Sequence, residues 1–219
     1  TIDTAVTTKA VRPAEFERVI VDSTVQEKAI AHPVDSRLLE IARAKVVQAA
    51  KFAGVLLKQT FVKEGRELRR KAGGYAHAKQ FKRLRRVVKR QRTILGIVIR
   101  EIQRKLSAAS TDSPSRITRL NTLLERAERI RTQQPKDKNK LYALHAPEVE
   151  CIGKGKARKP YEFGVKTSIA VTHKSGLMVG ARTFPGNPYD GHVLNEQLEQ
   201  TTILLEDTGR SPQQVIVDL

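Results

Sequence analysis

The tetrapeptide Val-Ile-Val-Asp occurs twice in this chain, at residues 19–22 and 215–218, almost two hundred residues apart. Three consecutive β-formers without alternation predict a strand buried on both faces. An acid directly behind such a run marks the strand's carboxyl end, where open α/β sheets place their chemistry. If the two strands are neighbours, Asp22 and Asp218 form a carboxylate pair that repels itself until a cation joins it. An Asp behind an apolar run is also an ordinary turn former, and the recurrence of the whole phrase sets the metal-ligand reading level with that one.

Other metal chemistry has less behind it. His32, His77, His145, His173 and His192 are scattered, without an HExxH pattern or a cysteine partner, and no zinc site is expected. His145 and His192 are read as structural or near a substrate, and Asp190 as a helix cap. The single cysteine, Cys151, excludes an internal disulfide and reads as a partly buried apolar residue in a reducing cytosol.

Charge supplies the second signal. Forty-one Lys and Arg against twenty-three Asp and Glu leave a net charge of +18, which implies a polyanionic partner. Between Val62 and Leu106, sixteen basic residues face three Glu, so this stretch alone contributes +13. Lys79, Lys82, Arg83, Arg85, Arg86, Lys89, Arg90 and Arg92 surround a narrow apolar stripe. A solvated helix face normally alternates sign, and this one barely does; contact with a phosphate backbone explains it better. A second basic group, Lys154, Lys156, Arg158 and Lys159 in "GKGKARKPYEFG", reads as a phosphate-contacting loop or as a flexible solvated one. A membrane is the weakest partner: the longest apolar run, "ILGIVI", falls far short of the roughly 20 residues a spanning helix needs.

The elements that must position these residues follow from periodicity. Residues 1–17 read as a polar lead-in to a strand at Arg18–Asp22. Asp35 or Ser36 caps a helix that carries Leu38, Ala42, Val46, Ala49 and Ala53 inward and stops at Gly54. A poorer helix follows through "FVKEGRELRRKAG". A long one then runs from Ala76 to Leu106, with Phe81, Leu84, Val88, Leu95, Val98, Ile102 and Leu106 in its stripe. A last helix of the block places Ile117, Leu120, Leu124, Ala127 and Ile130 on one face. Beyond "QQPKDKNK" the period changes to two: "YEFGVKTSIAV" and "LMVGARTF" form a hairpin, followed by a helix at Val193–Asp207, a stop at Gly209 and the strand "PQQVIVDL".

The expected fold class is therefore α/β, with residues 1–36 and 141–219 forming one mixed sheet domain and residues 37–140 a basic helical insertion. Strand, antiparallel hairpin, crossover helix and parallel strand is the ribonuclease-H-like order. It sets Asp22 and Asp218 on neighbouring strands at one sheet edge.

The phrases "ERVIVDSTVQEKAIAHPVDSRLL", "GGYAHAKQFKR", "YALHAPEVECIGKGKARKPYEFGVK" and "GNPYDGHVL" together resemble bacterial insertion-sequence transposases of the DDE type, over essentially the whole chain. The resemblance implies a catalytic site of two Asp and one Glu around Mg²⁺ or Mn²⁺, with Asp22 matching the first Asp and Asp218 the second. It implies cleavage and joining of DNA in line, two metal ions about 3.5–4 Å apart activating the attacking oxygen and stabilising the leaving one. It further implies DNA partners at element ends and target, a cytoplasmic, nucleoid-associated location, and room for a homodimer. The chain opens without Met and stops at Leu219, so it reads as a fragment whose third acid lies beyond its end and which is inactive or nearly so alone. Two other classes stay open, a non-catalytic basic DNA-binding protein and a ribonuclease-H-like nuclease that cuts without joining.

Overall fold

Strand alternation and helical periodicity segregate into two units in a computed structural model that describes residues 2–106, 114–153 and 157–217. One unit comprises Thr1–Ala29 with Glu148–Leu219, the other Ile30–Pro147. Among the described residues the two units hold six α-helices and a five-stranded mixed sheet, a mixed α/β architecture.

The sheet unit is built on β1 (Arg18–Glu27), which is five residues longer than the expected Arg18–Asp22. It pairs antiparallel with β3 (Tyr161–Thr172), and β3 pairs in turn with β4 (Met178–Phe184), so the expected hairpin is present. A strand that periodicity did not reveal, β2 (Glu150–Gly153), pairs with the start of β3. Four residues are too few to show an alternation. The last strand, β5 (Gln214–Val217), lies parallel to β1 on its other edge. At Gly164 the backbone of β1 leaves no room for a side chain: a Cβ there would sit 2.1 Å from the Gln26 carbonyl oxygen.

Helix α6 (Asp190–Leu205) crosses over from β4 to β5. Leu194, Leu198 and Leu205 pack on Val19, Val21, Ala170 and Val179 of the sheet. It packs closely because Gly180 has no side chain; a Cβ there would lie 2.4 Å from Thr201 Oγ1. Gln200 satisfies the backbone of β4 with its amide, accepting from Ala181 N–H at 3.1 Å and donating to Ala181 O at 3.0 Å. A left-handed Gly209 ends the 3₁₀ turn that follows α6, at the position expected for the stop.

Two expectations for this unit are corrected. The lead-in is structured: α1 (Ile2–Thr7) lays Ile2, Ala5 and Val6 against the sheet core, and Val11 and Phe16 are buried in it. The Val-Ile-Val runs are not buried on both faces. Val19 and Val21 lie under α6, Ile20 is half-buried, and Val215 and Val217 are 36% and 39% exposed. Among the described residues β5 is an edge strand, which explains the difference.

The helical unit consists of α2 (Asp35–Phe52), α3 (Val62–His77), α4 (Phe81–Leu106) and α5 (Pro114–Thr132). Leu39, Ala42, Val46, Leu95, Val98, Ile102, Leu120 and Leu124 form its core. The expected helix faces are met in α2 and α5. Gly54, at φ 77°, ends α2 as expected, and Val55 N–H closes on Ala50 O at 2.8 Å. The unit extends beyond the expected 37–140 because Leu141 and Leu144 join the core, and Gln133 holds Leu141 through both its amide atoms.

The long helix does not start at Ala76. Lys79 takes a left-handed conformation at φ 55°, and Gln80 N–H bonds Tyr75 O at 2.8 Å, so α3 is closed before α4 begins at Phe81. Phe81 is 59% exposed, outside the stripe expected to bury it, and Val87 with Ile94 and Ile99 takes up the inward face. Neither Asp35 nor Ser36 caps α2; Val34 is the N-cap, and Asp35 stands in the first turn 3.7 Å from Arg92.

Candidate functional site

Asp22 was expected at the carboxyl end of its strand; it lies in the middle of β1, because the ladder with β3 continues past it to Glu27. Alternation sends Val19, Val21 and Ser23 to the α6 side and Asp22 to the opposite face. Its side chain is exposed, and one carboxylate oxygen accepts the Ser23 backbone N–H at 2.7 Å, which fixes its rotamer. The parallel register pairs Val19 with Val215, Ile20 with Ile216 and Val21 with Val217. The two copies of the repeated tripeptide thus lie side by side and in step, each ending one residue before its aspartate. Asp218 itself, like Lys154 and Lys156, lies outside the described residues. No cluster of three His, Cys, Asp or Glu side chains suited to a metal occurs among the described residues.

On the α6 side of the middle of β1 is a polar network that sequence reasoning did not find. Asp190 Oδ1 accepts the Ser23 hydroxyl at 2.6 Å and lies 2.6 Å from Lys166 Nζ. Lys166 also donates to Pro188 O and is almost fully buried. Asp190 was expected to cap α6; instead Tyr189 is the N-cap, and Asp190, in the first turn, ties the helix start to β1 and β3. A carboxylate in the first turn is stabilised by the helix dipole as well as by the ammonium. The available signal was Lys166 itself, a charge amid the apolar alternation of β3. His192 places its ring edge-on to Tyr189, 5.6 Å between centroids. His145 is exposed, and Cys151 is half-buried in β2, as expected.

The predicted cations divide into those used by the fold and those left over. Arg90 binds both oxygens of Glu64 on α3, at 2.7 and 3.1 Å, and Arg92 donates to Gln133 O at 2.9 Å, so both staple the helical unit. Arg83 donates to Gln80 and lies 5.9 Å from the Tyr75 ring. Lys79 forms the α3–α4 turn. Lys82, Arg85, Arg86 and Lys89 are exposed and make no ion pair among the described residues. In the second basic group, Arg158 is exposed, while Lys159 is bound to Glu27 and lies 4.0 Å from Glu162. The Glu27 hydrogen bond, chiefly, holds the Lys159 pKa above the ordinary lysine value.

No helix among the described residues is long and apolar enough to cross a membrane. No protein-family model matches the chain, and no solved structure matches it. Over 80 residues, 36% of this chain, it is 45% identical to the uncharacterized protein ORF8 in the nfe locus of Rhizobium meliloti. The matched region spans 39% of that protein's length.

Proposed function

We propose that this chain is part of an insertion-sequence transposase of the DDE type that breaks and joins DNA, with Asp22 and Asp218 as cation-holding acids. The observation that carries this reading is the in-step parallel pairing of the two Val-Ile-Val runs, through Val21 and Val217, immediately before both acids in sequence. The strand order β4-β3-β1-β5, with α6 as the crossover into β5, supports a ribonuclease-H-like sheet. The exposed α4 cations Lys82, Arg85, Arg86 and Lys89, without an ion pair among the described residues, support a nucleic-acid partner.

Asp22 fits the proposed role: an exposed carboxylate on a paired strand, with one oxygen oriented by a backbone N–H. Asp22 and Asp218 would hold Mg²⁺ or Mn²⁺, which when bound supplies Lewis-acid activation of an attacking oxygen and charge stabilisation of the leaving one. The protein's own part is to keep those carboxylates on rigid strands. The Ser23–Asp190–Lys166 network serves that end by tying the middle of β1 to β3 and the start of α6.

The test is Mn²⁺ titration of the whole chain, read as paramagnetic broadening of backbone amide signals. Broadening centred on Val21 to Ser23 and lost in Asp22→Asn is expected. Broadening that is unchanged in Asp22→Asn overturns the cation role. Joining assays with a pre-cut donor end decide the reaction: cutting without joining would leave a nuclease, and DNA binding indifferent to metal and to Asp22 a non-catalytic binder.

A further inference from the structure

Between α2 and α3 runs an open groove of about 560 Å³, walled by Arg37 of α2 and by Arg66, Arg69 and Arg70 of α3. The three α3 arginines stand at i, i+3 and i+4 and so share one helix face, which Gly73 continues at i+7. The acid in the wall, Glu40, has both oxygens bound by the buried Arg43, at 2.7 and 2.9 Å, so its charge is already neutralised within the fold. Arg66, Arg69 and Arg70 are exposed and make no ion pair among the described residues. Four guanidinium groups around one opening repel each other, an arrangement that a ligand with several negative charges relieves. Planar guanidinium forks match phosphate oxygens in particular.

The glycines of α3 differ in their surroundings. A glycine inside a helix is unfavourable relative to alanine. At Gly65 the packing requires it, since a Cβ would lie 2.3 Å from Glu40 Oε2. At Gly73, in the groove wall, a Cβ would meet nothing within 4 Å. Gly74, outside the groove wall, is equally open; what Gly73 contributes is a stretch of wall without a side chain, which leaves room for a ligand backbone to approach.

We infer that the α2–α3 groove binds the phosphodiester backbone of duplex DNA through Arg37, Arg66, Arg69 and Arg70, with Gly73 leaving room for the strand. This rests on the transposase reading for the identity of the polyanion, and it adds a phosphate site separate from the α4 cations.

The test is fluorescence anisotropy of the whole chain with a short labelled duplex across a salt series. The groove variant is Arg66→Gln, Arg69→Gln, Arg70→Gln; the control removes three exposed cations elsewhere, Arg119→Gln, Lys136→Gln, Lys138→Gln. Each phosphate contact contributes about 0.9 to the slope of log affinity against log salt. The groove variant is expected to lose between about 2 and 3 from that slope, and the control less than about 1. Gly73→Leu, which leaves every charge in place, is expected to weaken binding several-fold without lowering the melting temperature. Equal losses in the groove and control triples, or no loss in the groove triple, would overturn the site while leaving DNA binding in place. A wild-type chain that binds no duplex would overturn both the site and the DNA reading.

Discussion

Lys166 shows how one side chain can organise a site it does not enter. Its ammonium is nearly buried between Pro188 O and Asp190, and Asp190 in turn holds the Ser23 hydroxyl beside Asp22. Lys166→Met would take the cation from the carboxylate and loosen the tie between the start of α6 and β3. Because Asp190 is mostly exposed, the expected loss is modest, about 1–2 kcal/mol in denaturant unfolding. Glu101 of α4 plays a corresponding part in the helical unit. Its carboxylate accepts Lys105 Nζ at 2.7 Å and the Lys58 backbone N–H at 2.8 Å, and these bonds, Lys105's first, hold its pKa below the usual carboxylate value. A depressed folded-state pKa means stability that is present above the unfolded value and disappears as pH falls through the folded one. Acid unfolding monitored by circular dichroism should therefore show wild type losing its advantage over Glu101→Gln as pH falls below the ordinary carboxylate range.

At the scale of elements, glycines mark where two backbones must approach. Gly164→Ala would push a methyl group into the Gln26 carbonyl, an atom of the paired strand that cannot move without breaking the β1–β3 ladder. A loss of about 1–3 kcal/mol is expected in urea unfolding, at the upper end because backbone rather than side chain is displaced. Gly65→Ala meets the Glu40–Arg43 pair instead and would prise apart two charges buried under α3. Helix α3 buries little else, Gly65 and Ala72 alone being fully covered, so its hold on the unit depends on that close approach and on the Arg90–Glu64 contact. The basic character of α3 and α4 was plain in the sequence. Which cations remained available was not, because Arg90 and Arg92 find partners twenty-six and forty-one residues away.

At the scale of the molecule, the segment Ile30–Pro147 interrupts the sheet unit in sequence and carries a core of its own. Expressed alone, it is expected to melt cooperatively as a helical protein. Leu95→Ala in it should cost about 2–5 kcal/mol, read from the shift of the denaturant midpoint. A net charge of +18 adds that association of the whole chain with any polyanion will be strongly salt-sensitive.

What the amino-acid sequence determined by itself was the alternation of the β3–β4 hairpin, the inward faces of α2 and α5, the stops at Gly54 and Gly209, and the repeated Val-Ile-Val-Asp. All are local signals, set by side-chain period and by backbone conformations that glycine adopts readily. Only the tertiary structure decided that the two repeats pair in parallel and in step, that Ser23, Lys166 and Asp190 form one network, and that four arginines of α2 and α3 share a groove. Those depend on contacts between residues far apart in the chain, and no local period encodes which distant partner a charge or a strand edge will meet.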